Sequence, residues 1–231
     1  MFYPFFFDPY YFLVIIGLLI TGWAAINVKS TFAKYDKVRS SKNITAREAA
    51  EYILEHAGIY DVTVHQVSGD LTDNYNGQNK TLNLSDSTAN STSVAAIGVA
   101  AHEVGHAIQD AKGYQPMRVR SRLVPIVNLG STLAMPLIII GVILSMNQTL
   151  IYAGIWAFSA VVLFQLVTLP VEFNASNRAI QILGDSALLS DSEIPAVKKV
   201  LKAAALTYVA AVLSTLLQLL RLVLLFGNRD D

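Results

Sequence analysis

Hydrophobic residues are gathered into four long stretches separated by mixed polar segments. The stretches run over 10–28, 123–146, 149–169 and 203–226, and only the last contains a charged residue, Arg221. A helix needs about 20 mostly apolar residues to cross the hydrocarbon core of a bilayer. We therefore predict four transmembrane helices. A cleaved signal peptide is the alternative for the first stretch, which is too long for one and has no basic segment before it.

The distribution of lysine and arginine predicts the orientation of these helices. Eleven of the 17 basic residues lie in the segment 29–122, and four lie in the segment 170–202. Because cytoplasmic loops carry an excess of basic residues, both segments are predicted to be cytoplasmic. The N-terminal segment 1–9 is then extracytoplasmic. Aromatic residues between Phe2 and Phe12, together with Trp23, fit the aromatic belt of a membrane interface.

Composition limits the classes of function. Hydrophobic residues make up 53% of the 231-residue chain and charged residues 15%, against about 25% charged in an ordinary soluble domain. Basic and acidic residues number 17 each, so no positive field favours nucleic acid, and we expect no nucleic-acid partner. Cysteine is absent, so a metal ion must be held by His, Asp or Glu.

The segment 29–122 has the pattern of a small α+β domain. Thr45 and Glu48 match a capping box, which predicts that a helix begins at residue 46. Alternating polar and apolar residues predict strands, and a long run without proline predicts a second helix that ends before Gly113. The predicted order is a helix over 46–57, a strand over 61–67, a turn over 74–80, a strand over 81–85, a polar loop over 86–93 and a helix over 94–112.

The second of these helices carries the motif H-E-x-x-H, formed by His102, Glu103 and His106. Four helical residues turn about 400°, so the two imidazoles lie on one face, one turn apart. Two imidazoles with oxygen ligands suit Zn²⁺. Glu103 lies about 100° around the helix, where it can contact a water molecule without binding the metal. The remaining histidines, His56 and His65, are predicted to be structural.

A third metal ligand is required, and two glutamates lie downstream of the motif. One known class would place a histidine at position 112, which is Lys112 here. Glu172 follows the third apolar stretch, and a hairpin of the second and third helices returns it to the membrane face that carries His102. A carboxylate at the mouth of a transmembrane helix is costly unless it is engaged. Glu193, in a polar stretch, is the alternative ligand.

Several segments resemble the YugP-type bacterial membrane neutral zinc metallopeptidases. They are 90–109 with the H-E-x-x-H motif, Leu123-Val-Pro, Leu169-Pro-Val-Glu172-Phe, 203–211 and 71–75, so the resemblance spans essentially the whole chain. More distantly, the chain is similar to the gluzincin membrane proteases of the Ste24/HtpX group, which pair H-E-x-x-H with E-x-x-x-D. Two positions depart from these patterns: Asn174 replaces an Asp usual in YugP-type proteins, and Ser176 occupies the gluzincin Asp position.

The resemblance implies a mainly α membrane protein of a bacterial cell membrane, with four transmembrane helices and a small cytoplasmic zincin-like α+β domain. It also implies one Zn²⁺ per chain, held by His102, His106 and Glu172, and peptidase activity on a peptide or membrane-protein substrate. Glu103 is then the expected general base. The candidates for supporting the ligands or stabilising an oxyanion are Asn174, Ser176, Arg178 and Tyr208.

By the same resemblance, the strand over 81–85 is expected to be an edge strand that pairs with an extended substrate, through Leu82, Asn83 and Leu84. Two other functions remain open. An intramembrane protease would place the metal inside the bilayer, although 94–101 is too short for a span and the Leu-Asp-Gly ligand motif of that class is absent. A non-catalytic zinc-binding scaffold would not need Glu103.

Overall fold

A computed structural model describes residues 8–227. The predicted extracytoplasmic segment 1–9 therefore lies outside the described residues except for its last two positions, as do most of the N-terminal aromatic residues. The helices are α1 (Phe12–Tyr35), α2 (Ala46–His56), α3 (Asp86–Ala89), α4 (Val94–Ala111), α5 (Gln115–Ile143), α6 (Gln148–Asp185) and α7 (Ile194–Phe226). The strands are β1 (Thr63–Val67), β2 (Asn74–Asn76) and β3 (Thr81–Ser85). The protein is a mainly α membrane protein with a small α+β domain, as predicted.

Four of the described helices, α1, α5, α6 and α7, are long and apolar enough to cross a membrane. Each extends beyond the apolar stretch that predicted it. The largest extension is in α6, which continues 16 residues past Leu169 to Asp185. Backbone hydrogen bonding continues through polar residues, so the end of an apolar stretch does not mark the end of the helix.

The described chain divides into two compact units. One, called here the apolar unit, comprises residues 8–25, 119–169 and 207–227, and the other, the site unit, comprises Ile26–Arg118 and Pro170–Leu206. In the apolar unit, a buried core of Ile138, Ile151, Leu222 and Phe226 joins α5, α6 and α7. Small residues allow close backbone approach there, since a Cβ atom on Gly154 would lie 2.6 Å from the Ala134 carbonyl oxygen.

Arg221, the charged residue of the fourth apolar stretch, is buried in the apolar unit and paired with Asp8. Its Nε donates a hydrogen bond of 2.9 Å to Asp8 Oδ2, and its guanidinium lies 5.5 Å from the ring centre of Tyr11. A charged residue within a transmembrane segment is tolerated when a partner neutralises it. This pair explains how α7 accommodates an arginine among apolar residues.

The site unit contains a three-stranded sheet in the order β1–β3–β2. β3 pairs in parallel with β1 over its full length and antiparallel with β2 through residues 81–83. The expectation that β3 is an edge strand is therefore wrong. Over residues 81–83 its backbone is paired on both sides, and the side chains of Leu82 and Leu84 are fully buried, so they are not available to an extended substrate. The edges of the sheet are β1 and β2.

The core of the site unit lies between the sheet and the helices α2, α3, α4, α6 and α7. It includes Ala50 and Ile53 of α2, Leu82 and Leu84 of β3, Ile97 and Val104 of α4, Leu183 of α6, and Val197 and Leu201 of α7. These residues pack around α4 on several sides, so the position of the helix is fixed. The side chains that extend from α4 are thereby held in defined positions.

Both ends of α4 are anchored within the site unit. At the start, Ser93 Oγ accepts a hydrogen bond from the Ala96 amide, as expected for an N-cap. Near the end, the Asp110 carboxylate accepts hydrogen bonds of 2.7 Å from Lys80 and 2.8 Å from Tyr75. Burial raises the pKa of Asp110, but these two bonds outweigh it and the pKa is lowered overall. The helix is thereby tied to the sheet.

Candidate metal centre

His102 and His106 extend from the same face of α4, as the helical spacing predicts. Their rings pack edge to face, with centroids 4.8 Å apart. His106 is buried and His102 is half-buried. The two Nε2 atoms are directed toward one point, where they meet a side chain from α6.

That side chain is Glu172, whose exposed fraction is 2%. Its Oε2 lies 3.3 Å from His102 Nε2 and 3.5 Å from His106 Nε2. The approach of α6 to α4 depends on Gly105, because a Cβ atom there would lie 2.7 Å from the Ala175 carbonyl oxygen. The sequence motif thus contains, between its two histidines, the glycine that admits the helix bearing the third candidate ligand.

These three donors fit a zinc ion. Zinc binds histidine nitrogen and carboxylate oxygen at about 2.0–2.2 Å in tetrahedral sites, and the edge of such a tetrahedron is about 3.3–3.5 Å. The two nitrogen-to-oxygen distances match this edge, and all three donor atoms lie within 4.8 Å of one another. Three protein ligands also leave one coordination position open, which is the arrangement of catalytic zinc sites.

Each histidine is oriented by a hydrogen bond at its other ring nitrogen. His102 Nδ1 lies 3.1 Å from Ser176 Oγ, and His106 Nδ1 lies 3.0 Å from Gln109 Oε1. If Nδ1 donates in both cases, each Nε2 presents a lone pair toward Glu172. Such outer partners fix the tautomer and the ring orientation of a metal-binding histidine.

Gln109 links the metal helix to α6. Its Nε2 donates to the Val171 carbonyl oxygen at 2.8 Å and to Asn174 Oδ1 at 3.0 Å. Asn174 Oδ1 also accepts a hydrogen bond of 2.8 Å from Arg178 Nε. Asn174, which departs from the YugP-type pattern, therefore retains an acceptor for both donors. Ser176 thus contacts His102, Asn174 contacts Gln109, and Arg178 contacts Asn174, while an oxyanion role for any of these residues stays a prediction.

Gln109 is not among the site residues predicted from the sequence. The signal was present, because Gln109 lies three residues after His106 and thus on the same helical face. Its amide is also fully buried, next to the buried Ala107 and Ile108 of α4. A buried polar side chain requires hydrogen-bond partners, and in this position the available partners are the histidine and the neighbouring helix.

The protonation of His106 is set by the same contacts. Burial lowers the pKa of His106, but the hydrogen bond to Glu172 and the negative charges of Glu103 and Glu172 outweigh burial and raise it overall. A buried and a half-buried imidazole beside a carboxylate therefore form a site that attracts positive charge. Once the imidazoles are deprotonated, a divalent cation can bind there instead, because its positive charge also balances the nearby carboxylates.

The remaining candidates occupy different positions. Glu103 is half-buried beside the cluster, and its carboxylate has no hydrogen-bond partner among residues 8–227.

Glu193, the alternative ligand, instead accepts hydrogen bonds from Ser41 and Ser190. His65 contacts Thr63, and His56 stacks on Tyr52. Tyr208 belongs to the apolar unit, and its role as an oxyanion donor stays a prediction.

An open groove of about 250 Å³ adjoins the cluster on the side of Ser176. Apolar side chains form most of its lining, and two lysines also line it. The lining residues are Phe173, Ser176, Asn177, Ile180, Lys198, Leu201, Lys202, Ala205 and Leu206. The groove is therefore suited to an apolar group.

Replacing Gly105 by alanine is expected to destabilise the site unit by about 1–3 kcal/mol, because the new methyl group meets backbone atoms of α6 that cannot move independently. Thermal unfolding in detergent measures the change. Gly184→Ala is the matched control, since its Cβ meets no atom within 4 Å and alanine favours a helix. Equal stability of the two variants would contradict the close approach of α4 and α6.

Replacing Gln109 by alanine is expected to weaken zinc binding by about 10- to 100-fold, because His106 loses the group that orients it. Competition with a chromophoric chelator gives the affinity. Asn177→Ala removes an exposed amide of α6 that adjoins Ser176 in sequence, and it is expected to leave the affinity unchanged. Wild-type affinity in the Gln109 variant would show that the hydrogen bond does not position the histidine.

The fold and the cluster together define a membrane protein with a candidate zinc site built from H-E-x-x-H and a glutamate of a later helix. The chain matches, over residues 10–227, the family described as "Putative neutral zinc metallopeptidase", and it belongs to that family. It is also similar to the "Putative membrane protease YugP" of Bacillus subtilis (strain 168), with 47% identity over 220 residues that cover 95% of this chain and 97% of the relative. No solved structure matches the chain.

Proposed function

We propose that the protein is a zinc-dependent membrane endopeptidase of the gluzincin type. The observation that carries the proposal is the convergence of His102, His106 and Glu172 at distances that fit a tetrahedral zinc site with one position open. The membership of a family described as zinc metallopeptidases supports the same activity.

The catalytic roles follow from the positions of the side chains. A zinc ion in such a site lowers the pKa of bound water and polarises a carbonyl group. The Glu103 carboxylate lies beside the cluster and is not engaged in a hydrogen bond with any described residue, so one of its oxygens is available to accept a proton from the attacking water. The protonated Glu103 then donates that proton to the leaving amine. Ser176 and Gln109 hold the two imidazoles throughout.

The substrate in this proposal is a peptide segment close to the cytoplasmic face of the membrane. Two observations support it. The basic residues cluster in the two segments that contain the candidate ligands, which favours the cytoplasm. The groove beside Ser176 is mainly apolar, which suits a hydrophobic side chain of a membrane protein.

The alternatives are less well supported. For an intramembrane protease, α4 would have to face lipid, but its apolar residues are packed in the core of the site unit and it is not among the four span candidates of the described chain. For a zinc-binding scaffold, Glu103 would have no use. Its position beside the cluster instead favours catalysis.

The direct test is hydrolysis by the purified full-length protein. A fluorogenic peptide library spanning apolar and charged sequences is incubated with wild-type protein in detergent or nanodiscs. We expect cleavage that is lost on chelation and restored by an equimolar amount of zinc. Absence of cleavage by folded protein that holds one zinc ion per chain, in both environments, would favour the scaffold.

The cytoplasmic orientation has a separate test. The chain has no cysteine, so a single cysteine introduced at the exposed Tyr60 can be labelled selectively. With a membrane-impermeant maleimide, we expect labelling only after the cells are opened. Labelling of intact cells would place the site unit outside.

A further inference from the structure

A second groove in the site unit is lined by three lysines and by no acidic residue. It has a volume of about 300 Å³ and lies between the end of α1 and the start of α7. The lining residues are Asn27, Thr31, Lys34, Tyr35, Lys199, Lys202, Ala203 and Leu206. It shares Lys202 and Leu206 with the groove beside Ser176, but neither the candidate ligands nor Glu103 line it.

The lysines of the groove are not neutralised by any residue within 8–227. Lys34, Lys199 and Lys202 are exposed, and no carboxylate of the described residues lies within ion-pair distance of any of them. Two of the lysines lie close to an aromatic ring. The Nζ atoms of Lys34 and Lys199 lie 5.5 Å and 5.9 Å from the ring centre of Tyr35. Two ammonium groups from different helices therefore gather around one ring.

The walls of the groove are held together by packing. Phe32 of α1, Val200 of α7 and Ala95 of α4 form a small buried cluster, and Tyr35 packs against it. The two helices that carry the lysines are thus fixed to each other within the site unit. The backbone positions from which the lysines extend are consequently fixed relative to one another.

The other residues that line the groove are suited to binding an anion that has an apolar part. Asn27, Thr31 and Tyr35 offer hydrogen-bond donors beside the lysines, while Ala203 and Leu206 are apolar. Along the sequence, the groove residues coincide with the ends of two predicted spans: Trp23 precedes Asn27 by one helical turn, and the fourth apolar stretch begins at Ala203. Tryptophan favours the headgroup level of a membrane.

We propose that this groove binds the phosphate headgroup of an anionic phospholipid of the cytoplasmic leaflet. Basic pockets beside transmembrane helices recognise such headgroups through lysine, and the lipid chain remains in the bilayer. The proposal does not depend on peptidase activity, because the groove residues are distinct from the candidate ligands and from Glu103.

The test compares lipid binding by two charge-matched triple variants of the full-length protein. In the first, Lys34, Lys199 and Lys202 are replaced by glutamine. In the second, Lys37, Lys42 and Lys112 are replaced, which removes the same charge from exposed positions outside the groove. Native mass spectrometry from a neutral detergent measures binding of phosphatidylglycerol and of phosphatidylcholine. Circular dichroism confirms folding, and single Lys34→Gln and Lys199→Gln variants replace the first triple variant if it does not fold.

We expect wild-type protein and the control variant to prefer phosphatidylglycerol, and the groove variant to bind it at least about tenfold more weakly. Equal weakening in both variants would overturn the proposal in favour of diffuse attraction to basic surface. Two competition arms identify other sources of the anion. Displacement of the lipid by equimolar inorganic phosphate would indicate a free-phosphate site. Displacement by an equimolar acidic peptide would indicate a protein partner. Either result would overturn the lipid assignment.

Discussion

Glu103→Gln is expected to reduce peptide hydrolysis by about 10²- to 10⁴-fold while leaving zinc binding intact. Glutamine has nearly the same shape as glutamate but cannot accept the proton of the attacking water. The three candidate ligands are unaffected, because Glu103 makes no hydrogen bond to them and extends from a different angle of α4. Initial rates on a fluorogenic peptide and the zinc content of the same sample are measured together.

Glu51→Gln is the matched control for this prediction. Glu51 is an exposed residue of α2, so its replacement removes the same charge from the site unit without touching the cluster. It is expected to retain wild-type rates. If Glu103→Gln cleaves peptides as fast as the wild type with full zinc occupancy, the assignment of Glu103 as general base is wrong.

Glu172→Ala is expected to remove most of the bound zinc from protein that carries about one ion per chain in its wild-type form. Removing an outer partner of a ligand costs about 10- to 100-fold in affinity, and removing the ligand itself should cost more. The loss follows from geometry, because Glu172 is the carboxylate that lies within 3.5 Å of both Nε2 atoms. Plasma mass spectrometry on detergent-purified protein gives the zinc content.

Glu193→Ala is the informative control, since Glu193 is the other downstream glutamate and is engaged with Ser41 and Ser190 instead. We expect it to retain zinc. Full retention of zinc in Glu172→Ala, with loss in Glu193→Ala, would reverse the assignment of the third ligand. Thermal unfolding of the metal-free variants separates loss of a ligand from loss of the fold.

Local patterns were sufficient for much of the secondary structure. The capping box at Thr45 and Glu48 begins α2 where predicted, and both of its hydrogen bonds are formed. The helix predicted over 94–112 is α4, and the strand predicted over 81–85 is β3. These features depend on residues within a few positions of one another, which the sequence displays directly.

Features that depend on distant pairing were predicted less well. The turn predicted over 74–80 begins with the short strand β2, whose three residues, Asn-Tyr-Asn, are too few to give a clear alternating pattern beside the turn residues that follow. The polar loop over 86–93 begins with the short helix α3. The expectation that β3 is an edge strand was also wrong, because alternation of polar and apolar residues predicts a strand but not which neighbours it pairs with.

The sequence by itself determined the four apolar helices, the pairing of His102 with His106 on one helical face, and the absence of cysteine ligands. Each follows from a run, a spacing or a count within the chain. Only the tertiary structure decided how close Glu172 comes to the histidines, that Ser176 orients His102, that α6 holds the Gln109 amide, and that three lysines meet in one groove. Those relations join residues separated by 60 positions or more, or residues on different helices. They are fixed by packing, such as that of Gly105 against Ala175, which no local pattern reports.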